Sequence, residues 1–280
     1  MNQRIGLALG GGGARGLCHI EFIKALDEMG LKPSIISGTS IGSIIGSFYA
    51  SGISGVALEE IIEKVGLIEI SRMVDFSIFG HSGLVKGKGV VEFLEKYLPF
   101  RTFEQLRIPL KVVATDYWHR KEVILDSGEL IPAIRASISI PAIFVPPVID
   151  GTVMIDGGVV NPVPYDIIRD QCDVLIAIDV SGTVVPHRKS VKPSMFESIM
   201  NSYQILEDAV LESKMKIVKP DVYIRPELKN VQILEFFKDA KIRKSVKTDV
   251  MQFKKDLRKL IDVEVKVEEK EEKKKRFLWF

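Results

Sequence analysis

The chain has 280 residues, 46% of them hydrophobic, with 39 Lys and Arg against 37 Asp and Glu. Such a chain can bury a sizeable core as one large domain or a domain with an appendage, and its near-balance of charge excludes bulk attraction to nucleic acid. Two cysteines, Cys18 and Cys172, stand in unrelated contexts without metal-ligand spacing, which argues against a disulfide framework and for a reducing compartment. No apolar run reaches the roughly 18 residues of a membrane-spanning helix. The start, MNQRIGLALGGGG, makes a poor signal peptide, so the expectation is a cytoplasmic protein.

RIGLAL reads as a short buried strand, and GGGGARG leads from it into LCHIEFIKALDEMG, where Leu17, Ile20, Ile23 and Leu26 recur at helical spacing until Gly30. PSIIS is a second strand and IGSIIGSFYASG a second helix. Strand–helix–strand–helix predicts a doubly wound α/β fold, a mostly parallel sheet with helices on both faces. From Gly52 to Pro99 the pattern is helical but uneven, interrupted by the glycine-punctuated VDFSIFGHSGLVKGKG. LKVVATD and EVILD are strands, LIPAIRASIS is helical, and Asp150-Gly151 marks a hairpin turn between two β-prone pieces. DVLIAIDV is another apolar strand and PDVYIRP a late one. Residues 194–218 predict a long amphipathic helix with Met195, Ile199, Tyr203, Leu206, Val210 and Met215 on or near one face. Val246, Val250, Phe253, Leu257 and Leu260 line a last helix.

Gly38-Thr39-Ser40-Ile41-Gly42 fits the nucleophile elbow, a serine on a sharp turn between strand and helix. Flanking glycines permit the turn, and the helix N-terminus favours developing negative charge. The same small residues also suit close packing of a helix on a sheet, with Gly42, Gly46 and Ala50 at i, i+4, i+8. Gly11-Gly12-Gly13-Ala14-Arg15-Gly16 fits the dinucleotide fingerprint, but no Asp or Glu stands between Gly30 and Glu59 to bind a ribose. A nicotinamide-dependent oxidoreductase therefore loses most of its weight. Glycines at a helix N-terminus can instead present amides to an anion, whether a phosphate or the oxyanion of a tetrahedral intermediate.

A nucleophilic serine needs a base. Only His187 comes late enough in the chain for the Ser–acid–His order of α/β-hydrolases, and that fold places its elbow later than residue 40. His19 reads as a packing or capping residue, and His81 and His119 as solvated loop residues, so no triad is evident. The alternative is Asp156 in MIDGGVVNP, at the end of a β-prone piece. An aspartate can take a serine proton when held in a water-poor pocket beside oxyanion donors, although an Asp-Gly turn alone has a purely structural reading.

GGGARG, GTSIG and DGG in this order and spacing, with KVVATD and RASISIPAIFVP between the last two, resemble the patatin-like phospholipase family over roughly residues 4–182. The likeness is to its short bacterial members. That resemblance implies a serine lipid acyl hydrolase (phospholipase A, lysophospholipase or carboxylesterase) with a Ser–Asp dyad. Ser40 would be the nucleophile and Asp156 the general base. Gly11, Gly12, Gly13 and Arg15 would form the oxyanion hole, and Gly16, Gly38, Gly42, Gly157 and Gly158 would be motif glycines. No metal or organic cofactor is implied, and the substrate would be a phospholipid or another fatty acyl ester. The alternative on the same scaffold is a non-catalytic lipid- or acyl-chain-binding protein.

The expected organisation is one domain over 1–261, with its motifs in 4–182 and a helical part in 194–261, followed by a tail over 262–280. That tail carries six acidic and six basic residues and ends in KKKRFLWF, a pattern suited to peripheral contact with an anionic membrane. The apolar C-terminal helix makes a homodimer an expectation too. Phe76, Ile78 and Phe79 are candidates for a mobile cover over Ser40, and Ile143 and Phe144 for an acyl groove.

Overall fold

The alternation of side chains along the first strand divides the interior in two. In the computed structural model, which describes residues 3–73, 85–182, 192–229 and 231–260, β1 (Ile5–Leu9) sends Ile5, Leu7 and Leu9 into one apolar cluster and Ala8 into another. β2 (Pro33–Thr39) divides Ile36 from Ile35 in the same way. Both faces of these strands are buried, which is why the sequence there is almost continuously apolar. The remaining strands are β3 (Leu110–Asp116), β4 (Lys121–Leu125), β5 (Val148–Ile149), β6 (Thr152–Asp156), β7 (Val174–Ile178) and β8 (Val222–Ile224). The sheet order is β5-β6-β3-β2-β1-β7-β8, with β4 also on β3. Pairs β1–β2, β2–β3, β1–β7 and β7–β8 are parallel; those of β3 with β4 and β6, and of β5 with β6, are antiparallel.

The helices are α1 (His19–Glu28), α2 (Ile41–Ala50), α3 (Gly55–Met73), α4 (Lys88–Tyr97), α5 (Leu130–Ser137), α6 (Met195–Met215), α7 (Asp239–Ser245) and α8 (residues 247–260). The larger cluster joins one face of the sheet to Phe22 of α1, Ile45 of α2, Leu58 of α3, Phe93 of α4, Ile134 of α5, Ile242 of α7 and Phe253 of α8. Phe22 and Phe253 meet edge to face, their centroids 5.4 Å apart, so the last helix closes on the first. The other face carries Ile168 and Leu211, the latter from α6. This is the mixed α/β architecture with helices around a mostly parallel sheet that the sequence predicts.

The expected apolar face of α6 is corrected in part: Tyr203 turns inward to Asp156 and Met215 packs on the smaller cluster, but the rest of that face does not. Met195 and Leu206 are 80% and 64% exposed, and Ile199 is also exposed, whereas Met200, Glu207 and Leu211 are buried. The helix turns a partly polar stripe inward because that stripe lies over the polar groups of Asp156 and Arg15. Residues 74–84, which hold the expected cover, and the tail from residue 261 lie outside the described residues, as do His81 and His187.

The register of β3 brings two strand ends together. β4 pairs along Val112–Asp116, β2 along Leu110–Val113, and β6 along Ala114–Asp116. A strand has two edges, so β6 takes over the edge that β2 leaves. The two strands arrive there from opposite directions, β2 ending at Thr39 and β6 at Asp156.

Candidate active site

Ser40 is the residue at which β2 turns into α2. Its φ of 54° and ψ of −125° lie where a non-glycine residue costs on the order of 1–3 kcal/mol, and the neighbours absorb that cost. Ser40 N donates to Ser137 Oγ at 2.9 Å, and Ser40 O accepts from Ser43 N at 2.8 Å and Ser43 Oγ at 2.6 Å. The glycines of the motif serve close approach. A Cβ on Gly38 would stand 2.6 Å from Gly42 O, and one on Gly42 would overlap Leu9 O. The packing role of these small residues and the elbow therefore coexist.

Asp156 meets this elbow head-on. Ser40 Oγ donates to Asp156 Oδ2 at 2.7 Å, while Oδ1 accepts from Gly158 N at 2.7 Å and from Tyr203 Oη at 3.2 Å. Its backbone is fixed as well: Asp156 N donates to Ser139 O at 3.0 Å, and Asp156 O accepts from Thr115 Oγ1 at 2.8 Å. Burial pushes the carboxyl up to about 6, with the three donors pulling it down. A carboxylate in that range is a better proton acceptor than one in water and still ionised at neutral pH.

The glycine loop follows β1, which pairs with β2 on one side and β7 on the other, so it leaves the sheet where strand order reverses. A Cβ on Gly11 would lie 3.4 Å from Ser40 Cβ, which puts the loop against the elbow. Gly11 itself is a correction. Its amide, expected among the oxyanion donors, donates to Pro162 O at 2.9 Å, and Ala14 N is likewise committed to Ile233 O at 2.7 Å. Gly12 and Gly13 remain as amides without an acceptor among the described residues. Arg15 braces them: its buried guanidinium donates from Nε to Gly12 O at 3.2 Å. His19 does the same for the start of the loop through a 2.9 Å hydrogen bond between Nε2 and Gly10 O. Burial lowers this imidazole to about 4, so it is neutral and structural. His119 is an exposed partner of Asp116, Nδ1 to Oδ2 2.7 Å.

An apolar cavity opens on Ser40, lined by Leu17, Ile44, Ile45, Phe93, Phe144 and Phe236 among others, with Gly13 at the same wall. Phe144, expected at an acyl groove, is in the lining; Ile143 packs in the core beside it.

Three residues at this site belong to no motif that marks them in the sequence. Tyr203, Gln204 and Glu207 occupy one turn of α6 that bears on both halves of the site. Tyr203 donates to Asp156, and Gln204, with its amide oriented to satisfy both groups, accepts from the terminal nitrogens of Arg15. Glu207 lies within hydrogen-bonding reach of Tyr203 and is pushed up to about 8, by burial first and then by the charge of Asp156, with Arg15 opposing. The available signal was Tyr203 within an apolar stripe followed by Glu207 at i+4, because a buried tyrosine hydroxyl needs a polar partner. A carboxyl whose folded value exceeds its unfolded one contributes stability that is present at low pH and is lost as pH rises through about 8. Glu207→Gln therefore lacks that loss: thermal melts from pH 5 to 9 should show wild type falling relative to the variant as pH rises.

The site thus joins a strained serine at a strand–helix elbow to a buried aspartate, with the glycine loop alongside, in a mixed α/β protein. The family model for patatin-like phospholipase matches residues 7–169, more than half of the chain. The chain belongs to the patatin-like phospholipase family. It is 34% identical over 204 residues to an NTE family protein of Mycobacterium bovis, a match spanning 71% of this chain and 55% of that protein. It is 30% identical to lysophospholipase NTE1 of Kluyveromyces lactis, over 86% of this chain and 18% of the relative. The chain thus spans about half the length of the first relative and a small part of the second. Among solved structures it is similar in fold to VipD from Legionella pneumophila, with a TM-score of 0.51 and 14% identity over 91% of this chain and 67% of that one.

Proposed function

We propose that the chain is a serine acyl hydrolase of lipid esters, of the phospholipase A, lysophospholipase or carboxylesterase kind. The observation that carries this reading is the 2.7 Å hydrogen bond from Ser40 to a buried Asp156 at the edge of an apolar cavity. Ser40 Oγ attacks the ester carbonyl as Asp156 takes its proton, and the Gly12 and Gly13 amides stabilise the oxyanion. Collapse of that intermediate expels the alcohol, which takes the proton from Asp156. A water deprotonated by Asp156 then releases the fatty acid and restores Ser40. The lysophospholipase relative of Kluyveromyces lactis and the match to the patatin-like phospholipase family model support the same substrate class.

The test is hydrolysis of a panel of diacyl and lysophospholipids alongside p-nitrophenyl esters. Fatty acid release by wild type and none by Ser40→Ala is expected; lipids bound but not cleaved by wild type would contradict the proposal and leave a lipid-binding protein. The pH profile gives a second check. The base works only when ionised, so kcat/KM should fall about tenfold per unit below an acid limb near 6. Tyr203→Phe removes a donor to the carboxylate and should move that limb upward.

A further inference from the structure

The β3–β4 hairpin ends in Tyr117-Trp118-His119-Arg120-Lys121, five consecutive exposed residues. Trp118 is 71% exposed and packs edge to face on Tyr117, ring centroids 4.8 Å apart. Nothing in the core accounts for two aromatic rings held in solvent. The turn beneath them is firmly built: the Asp116 carboxylate accepts from Trp118 N at 3.1 Å, His119 N at 3.0 Å and His119 Nδ1 at 2.7 Å. Exposure of the rings is thus a property of an ordered tip.

Three further observations give the tip a direction and a partner. Thr39 pairs with Val113, and β3 runs three residues further to Asp116, so the tip rises about 10 Å beyond the level of Thr39, the residue before Ser40, at the same end of the sheet. Tyr117 N donates to Val153 O, and Val153 pairs with Val148, itself 64% exposed, which extends the apolar surface sideways. Arg120 and Lys121 make no ion pair with a described residue, and the neighbouring hairpin turn contributes one exposed carboxylate, Asp150. Amphipathic rings beside cations suit the headgroup level of an anionic bilayer, where the rings enter the interface and the cations meet lipid phosphates.

We propose that the Tyr117–Lys121 hairpin tip, with Val148, docks on an anionic phospholipid bilayer and presents the Ser40 end of the sheet to it. The proposal rests on the lipid-hydrolase reading for its purpose but is measured independently of catalysis. The full-length chain is floated with phosphatidylcholine vesicles containing or lacking phosphatidylglycerol, at low and high salt. We expect binding that needs phosphatidylglycerol and weakens with salt, a loss of roughly tenfold in Trp118→Ala, and of about fivefold for each of Arg120→Gln and Lys121→Gln. Hydrolysis of a soluble short-chain p-nitrophenyl ester should be unchanged in Trp118→Ala, and Ser40→Ala should still bind vesicles. KKKRFLWF is present in every variant, so a loss belongs to the hairpin. Wild-type binding by Trp118→Ala would overturn the proposal. So would a dimer that Trp118→Ala converts to monomer, because the tip would then serve a second copy. If Ser40→Ala and wild type are equally inactive while vesicle binding depends on Trp118, the hydrolase reading fails and the docking surface stands.

Discussion

Ser40→Ala should abolish lipid ester hydrolysis, and Asp156→Asn should lower kcat by about a thousandfold to ten-thousandfold, each with a folded chain. The two losses should not add in the double variant, because hydroxyl and carboxylate act in one proton transfer. The structure explains why the cost falls on rate and not on folding. Ser40 Oγ has the Asp156 carboxylate as its partner, and the elbow backbone is held by Ser137 and Ser43 whether or not the hydroxyl is present. Asn at 156 can still accept from Gly158 N and Tyr203 Oη, but it cannot take a proton. Steady-state kinetics on a p-nitrophenyl ester, with thermal melts as the folding control, check both variants. Wild-type kcat in Asp156→Asn would remove the carboxylate from the reaction.

Gly12→Ala should reduce kcat by about a hundredfold to a thousandfold with little change in KM, the size of effect seen when an oxyanion donor is displaced. The argument is steric. A Cβ there would overlap Val180 O, so the loop must shift and carry its amide with it. Gly13→Ala should do the same, since Gly13 has a φ of 58° and its Cβ would overlap Ile233 O. Gly11→Ala is the informative contrast. Its amide is already committed to Pro162 O, and its Cβ would meet Ser40 Cβ at an ordinary 3.4 Å. A milder effect there separates oxyanion donation from loop packing, and equal losses at all three glycines would count against the assignment.

The elbow and the glycine loop were legible because each is a local solution to a local problem. A strand that must turn into a helix within two residues needs small neighbours at Gly38 and Gly42, and an anion-binding loop needs amides without side chains. Asp156 was legible only through its place in an ordered set, for DGG by itself reads as a turn. Its meeting with Ser40 depends on β6 taking over the edge of β3 that β2 leaves, a non-local pairing that no periodicity encodes. The inward face of α6 was misjudged for a related reason. Periodicity assigns the stripe of Met195, Ile199, Tyr203 and Leu206 to the core, but the helix lies over a polar site: only Tyr203 of these turns inward, donating to Asp156, and Glu207 buries beside it. The Gly11 amide shows the same limit. Sequence places the glycine in the loop, and only the approach of Pro162 decides which amides remain available.

The most direct measurement of the central claim is site-resolved mass spectrometry after reaction with a fluorophosphonate, which phosphonylates a serine whose proton is being removed. The account predicts one adduct on Ser40, forming at a rate that rises through about pH 6 and collapses in Asp156→Asn. An adduct on another residue, or one on Ser40 forming equally fast without the Asp156 carboxylate, would contradict it.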